Sequence, residues 1–385
     1  MRLAGRIETL PPYLFAEIDR KISEKRAAGV DVISLGVGDP DTPTPPHIVA
    51  AMQEAVTDPS THQYPSYYGM PEFRRAVAAW YARRFGVSLD PDTEIQPLIG
   101  SKEGIAHLAL AVIDPGDVAL VPDPAYPVYE IGTLLAGGSA VSFPLRAEND
   151  FIPDWDTIAV PSSAKILWLN YPGNPTAAVA THADLARAVD FARAHGLLLA
   201  YDNAYSEITF DGFRAPSILE IPGAKDVAIE FHSLSKTYNM TGWRIGMAVG
   251  SPIAVEALGR VKTNIDSGIF NAVQRAGIAA LQGPQEFLED LRALYQRRRD
   301  LVMKAFGDAG WDVRPPRGSV FVWLPVPDGH NSASFATLLL EKAGVVVPPG
   351  RGYGASGEGY IRVSLTVPDE RLEEGLERIR TALAR

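Results

Sequence analysis

The stretch "DVAIEFHSLSKTYNMTGWRIG", Asp226 to Gly246, opens as a buried strand and ends as something else. Its apolar run delivers the chain into Ser233, Ser235 and Lys236, and Arg244 follows eight residues after the lysine. An unpaired ammonium is costly in a core. Either the strand runs out into a solvated loop, or hydroxyls, amine and guanidinium converge on an anionic ligand. What the other strand ends carry decides between the two.

Working outward, "DVALVP" (117–122), "KILWLN" (165–170), "LLLAYD" (197–202) and "IGMAVG" (245–250) read as further strands beside "DVAIEF" (226–231). Near-continuous apolar runs of this kind suit a mainly parallel sheet buried on both faces. Helical patterns lie between them. "THADLARAVDFARAHG" is one, with Thr181 as N-cap and Gly196 as its stop. That alternation predicts an α/β fold, with a large domain of helices flanking a mainly parallel sheet. From Glu286 the pattern changes to a long charged helix, then "SVFVWLPV", "GVVVPPG" and "YIRVSL", and a last helix from Asp369. This predicts a smaller α+β domain with antiparallel strands over 286–385. Residues 46–285 form the large domain, and residues 1–45 an N-terminal segment packed on the small one.

Bulk properties narrow the class. The 385 residues carry 36 basic and 46 acidic side chains, a net charge of −10, which argues against a nucleic-acid partner. With no cysteine there is neither a disulfide framework nor a thiolate metal site. The start, "MRLAGRIETLPPYLF", lacks a signal-peptide core, and no window approaches a membrane span of ~20 apolar residues. A cytoplasmic protein without membrane association is the expectation.

In open α/β sheets ligands bind beyond the carboxyl ends of the strands. Those ends offer Tyr126 in "DPAYPVY", Asn174 in "YPGNPTAAV", Asp202 with Tyr205 three residues on, and the opening stretch. "LIGSKEGIAHLALAVI" adds a helix start at Gly100, Ser101 and Lys102, whose free N–H groups suit a phosphate. Each feature alone has a bland reading: a cap, a core aromatic, a turn, a solvated lysine. Together they fit pyridoxal 5'-phosphate. Lys236 forms the Schiff base and Asp202 pairs with the ring nitrogen. Tyr205 and Asn174 reach the phenolic oxygen, and Tyr126 stacks on the ring. Arg244, Ser233, Ser235 and the Ser101 helix start hold the phosphate.

The motifs "YPSYYGMPEFRRAV", "GSKEG", "PDPAYPVY", "NYPGNPT", "YDNAY", "SLSKTYNMTGWRIG" and "YIRVSL", in this order and spacing, resemble the fold-type I pyridoxal-phosphate aminotransferases over essentially the whole chain. The resemblance implies a ping-pong aminotransferase acting on amino and 2-oxo acids, and a homodimer with shared active sites. It places Lys102 in the cofactor site and Tyr64 on the neighbouring subunit's cofactor phosphate. It gives the substrate α-carboxylate to Arg362, assisted by the Gly38 backbone and Asn174. "LPPYLFAEIDRK", "LGVGDPDTPTP", "GSKEGIAHL" and "TNIDSGIFNAVQ" look most like the LL-diaminopimelate aminotransferases, which work in lysine synthesis. A donor with a distal ammonium and carboxylate needs remote polar groups, for which Tyr13, Tyr67, Tyr68, Asn264 and Asn271 are available.

Rival readings are aspartate, alanine or aromatic aminotransferases and a C–S β-lyase on the same fold. A nicotinamide dehydrogenase is disfavoured, because Asp41 stands where "GVGDPD" would need its third Gly. The seven His show no metal-ligand spacing, and no basic helix-turn-helix segment precedes Tyr64.

Overall fold

The computed structural model describes residues 2–8, 10–11 and 14–383. Tyr13 lies outside them. In chain order the strands are β1 (Ile33–Ser34), β2 (Ile95–Leu98), β3 (Val118–Asp123), β4 (Ser139–Pro144), β5 (Ala164–Asn170) and β6 (Leu198–Asp202), then β7 (Ala228–Ser233), β8 (Gly246–Gly250), β9 (Phe321–Pro325), β10 (Val345–Val346) and β11 (Tyr360–Ser364). Seven form the central sheet in the order β2-β8-β7-β6-β5-β3-β4. β4, β3, β5, β6 and β7 run parallel, whereas β8 is antiparallel to both β7 and β2.

The core strands are largely apolar because helices cover both faces. One face packs against Ser101–Val112, Val128–Ala136 and Pro252–Ile265, through residues such as Ile105, Tyr129 and Leu258. The other packs against Pro71–Phe85, His182–His195 and Asn271–Gln282, through Tyr81, Val189 and Ala276. Helix His182–His195 begins on a capping box between Thr181 and Asp184 and stops at Gly196, whose φ of 64° is left-handed.

β7 returns through β8 instead of crossing over, with Ser233 opposite Gly246. The whole Lys236–Arg244 stretch is therefore the connection between two central strands, held at the carboxyl edge of the sheet. This is why the apolar run ends on hydroxyls and cations.

Three features differ from the sequence expectation. β2 and β4 complete the sheet unannounced: β2 is short and contains Pro97, and β4 is an edge strand with mostly half-exposed or exposed residues. β9 and β11 pair antiparallel as expected, with Arg362 opposite Trp323. "GVVVPPG", however, supplies β10, which pairs in parallel with β1, Ile33 opposite Val345. That pairing buries Ile33 and Leu35 in the C-terminal core. The same core takes Ala204, Tyr205, Ile208 and Phe210, so the chain leaves the sheet directly after β6. Among the described residues no helix is long and apolar enough to cross a membrane.

Candidate active site

Asp202 ends β6 in register with Asn170 on β5 and Phe231 on β7. Asn170 Nδ2 donates to the Asp202 carbonyl at 2.7 Å, and Asn170 Oδ1 accepts from the Asn174 amide at 2.7 Å. Asn170 thus sets both the strand end and the turn carrying Asn174, a role its place in a buried strand did not signal. The Tyr129 hydroxyl donates to Asp202 Oδ2 at 2.8 Å. Asp202 Oδ1 is buried with no hydrogen-bond partner among the described residues. Burial pushes this carboxyl up to about 6, opposed by the Tyr129 hydrogen bond and more weakly by the nearby Ala204 amide and His232 ring. A buried acceptor with nothing to accept from is rare and costly unless a ligand completes it.

Next to it lies a cup suited to an anion. Helix Ser101–Val112 starts after Gly100, at φ 78°, with no side chain capping its first turn. A Cβ at Gly100 would lie 2.3 Å from Arg244 Nη2, so only glycine lets the guanidinium reach the helix start. A Cβ at Gly246 would be 3.2 Å from the Ser101 amide, so the helix is seated against the end of β8. Uncapped amides beside a guanidinium make an anion site. Arg244 itself has a left-handed φ of 55° and donates to the Thr241 carbonyl at 2.8 Å. Ser233 and Ser235 are buried; Ser233 Oγ accepts from the Ser235 amide at 3.2 Å. Lys102 is exposed, its Nζ 6.0 Å from the centre of the half-buried Tyr126 ring. The helix is fastened by Glu103, which accepts from the buried Lys262 at 2.8 Å. Glu103, His107 and Asp266 offer ligand atoms within 4.8 Å of one another, and the Lys262 ammonium already pairs with both carboxylates, at 2.8 Å and 3.0 Å.

On the opposite side two cations meet the N-terminal segment. Lys236 Nζ donates to the Gly38 carbonyl at 2.5 Å. Burial holds its ammonium down at about 8; Asp39 pulls it upward, and the Arg362 and Arg244 charges push it further down. Arg362 is 1% exposed and donates to Asn174 Oδ1 at 2.7 Å and to the Gly36 carbonyl at 2.5 Å. Its guanidinium lies 3.9 Å from the centre of the Phe321 ring and 5.0 Å from that of Tyr353. Phe321 meets Tyr205 edge-on at 5.8 Å and leaves no room for a Cβ on Gly38, which would be 2.5 Å away. Tyr205 is buried, and burial raises its hydroxyl above the usual tyrosine range.

The chain thus brings together Lys236, Asp202, Tyr205, Asn174, Ser101, Arg244, Ser233, Ser235, Arg362 and Gly38, with Tyr126 at the edge. Gly38 presents its carbonyl to Lys236. A carbonyl cannot donate to a carboxylate, so a substrate contact falls to its N–H. Tyr64, Tyr67 and Tyr68 stand apart, 86%, 49% and 58% exposed. Asn264 is exposed and donates to the Arg260 carbonyl, and Asn271 accepts from Gln274 at 3.4 Å. Sequence reasoning missed Tyr129, Asn170, Phe321 and Tyr353. The first three sit in apolar surroundings that read as core.

The Asp202 geometry has a thermodynamic consequence. Raised from 3.8 to about 6, its carboxyl binds a proton more tightly in the folded chain than in the unfolded one. Its contribution is then most favourable below pH ~4, is lost as pH rises through about 6, and leaves a cost of up to about 3 kcal/mol above that. Cofactor-free Asp202→Asn should therefore melt higher than wild type at pH 7.5, with the difference vanishing near pH 4. Calorimetry at both pH values checks this; an unchanged or lowered melting temperature at pH 7.5 contradicts it.

A family model described as "Aminotransferase class I and II" matches residues 30–379. The chain is 59% identical over 384 residues to an LL-diaminopimelate aminotransferase of Desulforudis audaxviator, covering 99% of this chain and 98% of that one. It is 55% identical over 387 residues to the protein of the same name from Moorella thermoacetica, covering 100% and 99%. Among solved structures, substrate-bound BacF from Bacillus subtilis superposes with a TM-score of 0.94 at 39% identity, covering 99% and 98% of the two chains.

Proposed function

The chain belongs to aminotransferase class I and II, and from that premise we propose that it is a pyridoxal-phosphate-dependent LL-diaminopimelate:2-oxoglutarate aminotransferase of lysine synthesis, cytoplasmic and homodimeric. The observation that carries the reading is the gathering of Lys236, Asp202 and Arg362 at adjacent strand ends and the small β-sheet beside them. All three are largely buried, and Lys236 is within electrostatic reach of both Arg362 and Arg244. The near full-length likeness to relatives of that name supports the substrate.

The residues present fit the cofactor. The partnerless Asp202 Oδ1 suits a protonated ring nitrogen, and the Gly100–Arg244 cup suits a phosphate. When bound, pyridoxal phosphate supplies the electron sink for amino-group transfer. Asp202 would hold the ring-nitrogen proton. Arg244, the Ser101 helix start, Ser233 and Ser235 would hold the phosphate, with Lys102 nearby. Tyr126 would cover the ring, and Tyr205 and Asn174 would reach its phenolic oxygen. Lys236 Nζ would hold the cofactor's aldehyde carbon and move the proton at the substrate α-carbon. The exposed Tyr64, Tyr67 and Tyr68 lie beside a second segment with exposed Ile265 and Phe270, which supports a subunit interface where Tyr64 serves the neighbouring site.

Arg362 is set before substrate arrives, its fork fixed by Asn174 and stacked on Phe321. Arg362→Lys loses the planar fork as well as the stack. It should lower kcat/KM about 10- to 100-fold for every amino donor alike, the equivalent of roughly 1.5–3 kcal/mol for a charge-assisted contact. Steady-state kinetics with several donors check this; a loss confined to one donor contradicts it.

Selectivity for the long donor would come from distal polar residues among Tyr13, Tyr67, Tyr68, Asn264 and Asn271. A site built to pair buried polar groups rejects substrates lacking them. The test is a donor panel with 2-oxoglutarate. LL-diaminopimelate should show the highest kcat/KM, and alanine and phenylalanine should be poor. Aspartate or alanine exceeding it overturns the substrate and leaves the reaction class. Pyruvate and ammonia released from cystathionine without an acceptor would identify a lyase.

A further inference from the structure

Resting on the aminotransferase reading, we propose that Tyr129 is a positioning residue for the reaction. Its hydroxyl holds the Asp202 carboxylate in one orientation through Oδ2, leaving Oδ1 as the acceptor for the cofactor's ring nitrogen.

Two buried carboxylates in neighbouring strands make the contrast. Glu230 on β7 is fully satisfied: Oε1 accepts from Tyr81 at 2.9 Å and Asn203 at 3.2 Å, and Oε2 from Ser217 at 2.6 Å and the Ile218 amide at 2.8 Å. Asp202, 6% exposed, receives one side-chain donor on one oxygen, with the Ala204 amide nearby but no partner within hydrogen-bond geometry on Oδ1. A carboxylate built only for the fold would resemble Glu230. The tyrosines show the same difference. Tyr201 and Tyr171 donate to backbone carbonyls, each at 2.8 Å, the usual way a buried phenol is satisfied. Tyr81 donates to Glu230, a carboxylate with three further donors, whereas Tyr129 is the one side-chain donor to Asp202 among the described residues.

The donor is itself immobile. Tyr129 is 0% exposed, in the first turn of helix Val128–Ala136, and its ring stacks on Trp168 with centroids 5.0 Å apart at 15°. Tyr126 meets it edge-on at 6.0 Å. With the Asp202 backbone held by Asn170, the side-chain torsions are the freedom left, and the Tyr129 bond removes it. The titratable groups coupled to Asp202 are Tyr129 from that helix, His232 from β7, and Tyr201 and Tyr205 on its own segment. Of these Tyr129 makes the side-chain hydrogen bond, which favours the charged carboxylate.

The test uses Tyr129→Phe, which keeps the ring and removes the hydroxyl. Isotope-edited infrared spectra of the cofactor-free protein with carboxyl-labelled aspartate, referenced to Asp202→Asn, give the Asp202 titration midpoint. The midpoint should rise by roughly half a unit to one unit on loss of a neutral donor, and the pH dependence of the bound cofactor's absorbance should shift with it. A folded Tyr129→Phe protein with the wild-type midpoint overturns the proposal. If that chain does not fold, 3-fluorotyrosine in the otherwise wild-type chain reads the same bond with opposite sign. The more acidic phenol should lower the midpoint, and no change overturns the proposal. Wild-type protein that develops no cofactor absorbance with pyridoxal phosphate overturns the aminotransferase reading and this use of Tyr129 together, a result distinct from an unmoved Asp202 titration.

Discussion

Lys236→Ala should slow amino-group transfer by at least about 10²–10⁴-fold, the range for losing a general base, because alanine can neither move the proton nor capture the cofactor covalently. The structure explains why this lysine is reactive. Burial and the charges of Arg362 and Arg244 hold its ammonium down at about 8, against 10.5 for a solvated lysine. At pH 7.5 about a quarter of Lys236 is then the neutral amine, against roughly 0.1% for a solvated one. The Gly38 carbonyl holds the nitrogen in place while it waits. Cofactor uptake by the stripped protein should accordingly speed up with pH until about 8 and then level off. Single-turnover rates with LL-diaminopimelate, measured by stopped flow, check the first statement. A Lys236→Ala rate within tenfold of wild type contradicts it.

Asp202→Ala carries the second large effect, an expected loss of roughly 10²–10³-fold, as for removing one preorganised electrostatic group from an active site. Asp202 would act by keeping a proton on the ring nitrogen, which an alanine cannot do. Cofactor should still bind, because Arg244 and the uncapped helix start do not depend on Asp202. Binding and rate therefore separate in this variant. Near-wild-type half-reaction rates would show that Oδ1 does not face the ring nitrogen.

The strand-end positions of the two residues behind these expected effects were both legible in the sequence, and the reason is physical. A parallel sheet buried on both faces leaves long apolar runs, and its ligand edge is wherever those runs end. Asp202 and Lys236 stand at such ends. The pairings were not legible. β10 finds β1 across some three hundred residues, and Arg362 finds Asn174 at a separation of 188. An apolar pattern reports which face is buried, not which distant segment buries it. Hence Arg362 reads from sequence as a charge in a strand, although it is nearly enclosed by Phe321, Tyr353, Asn174 and Gly36. β2 and β4 escaped notice because Pro97 interrupts one and solvent exposure dilutes the pattern of the other. Tyr129 looked like core for a sound reason: apart from its hydroxyl it is core, stacked on Trp168. Tyr64, by contrast, is 86% exposed and has no place in the single chain's site, so the role proposed for it requires a second subunit.

On the proposed function, the β7–β8 connection carries the covalent attachment point of the cofactor. Borohydride reduction of the pyridoxal-phosphate-loaded protein, followed by proteolysis and peptide mass mapping, tests it directly. One reduced cofactor adduct is expected, on Lys236. An adduct on Lys102, Lys262 or any other lysine, with Lys236 unmodified, would contradict it.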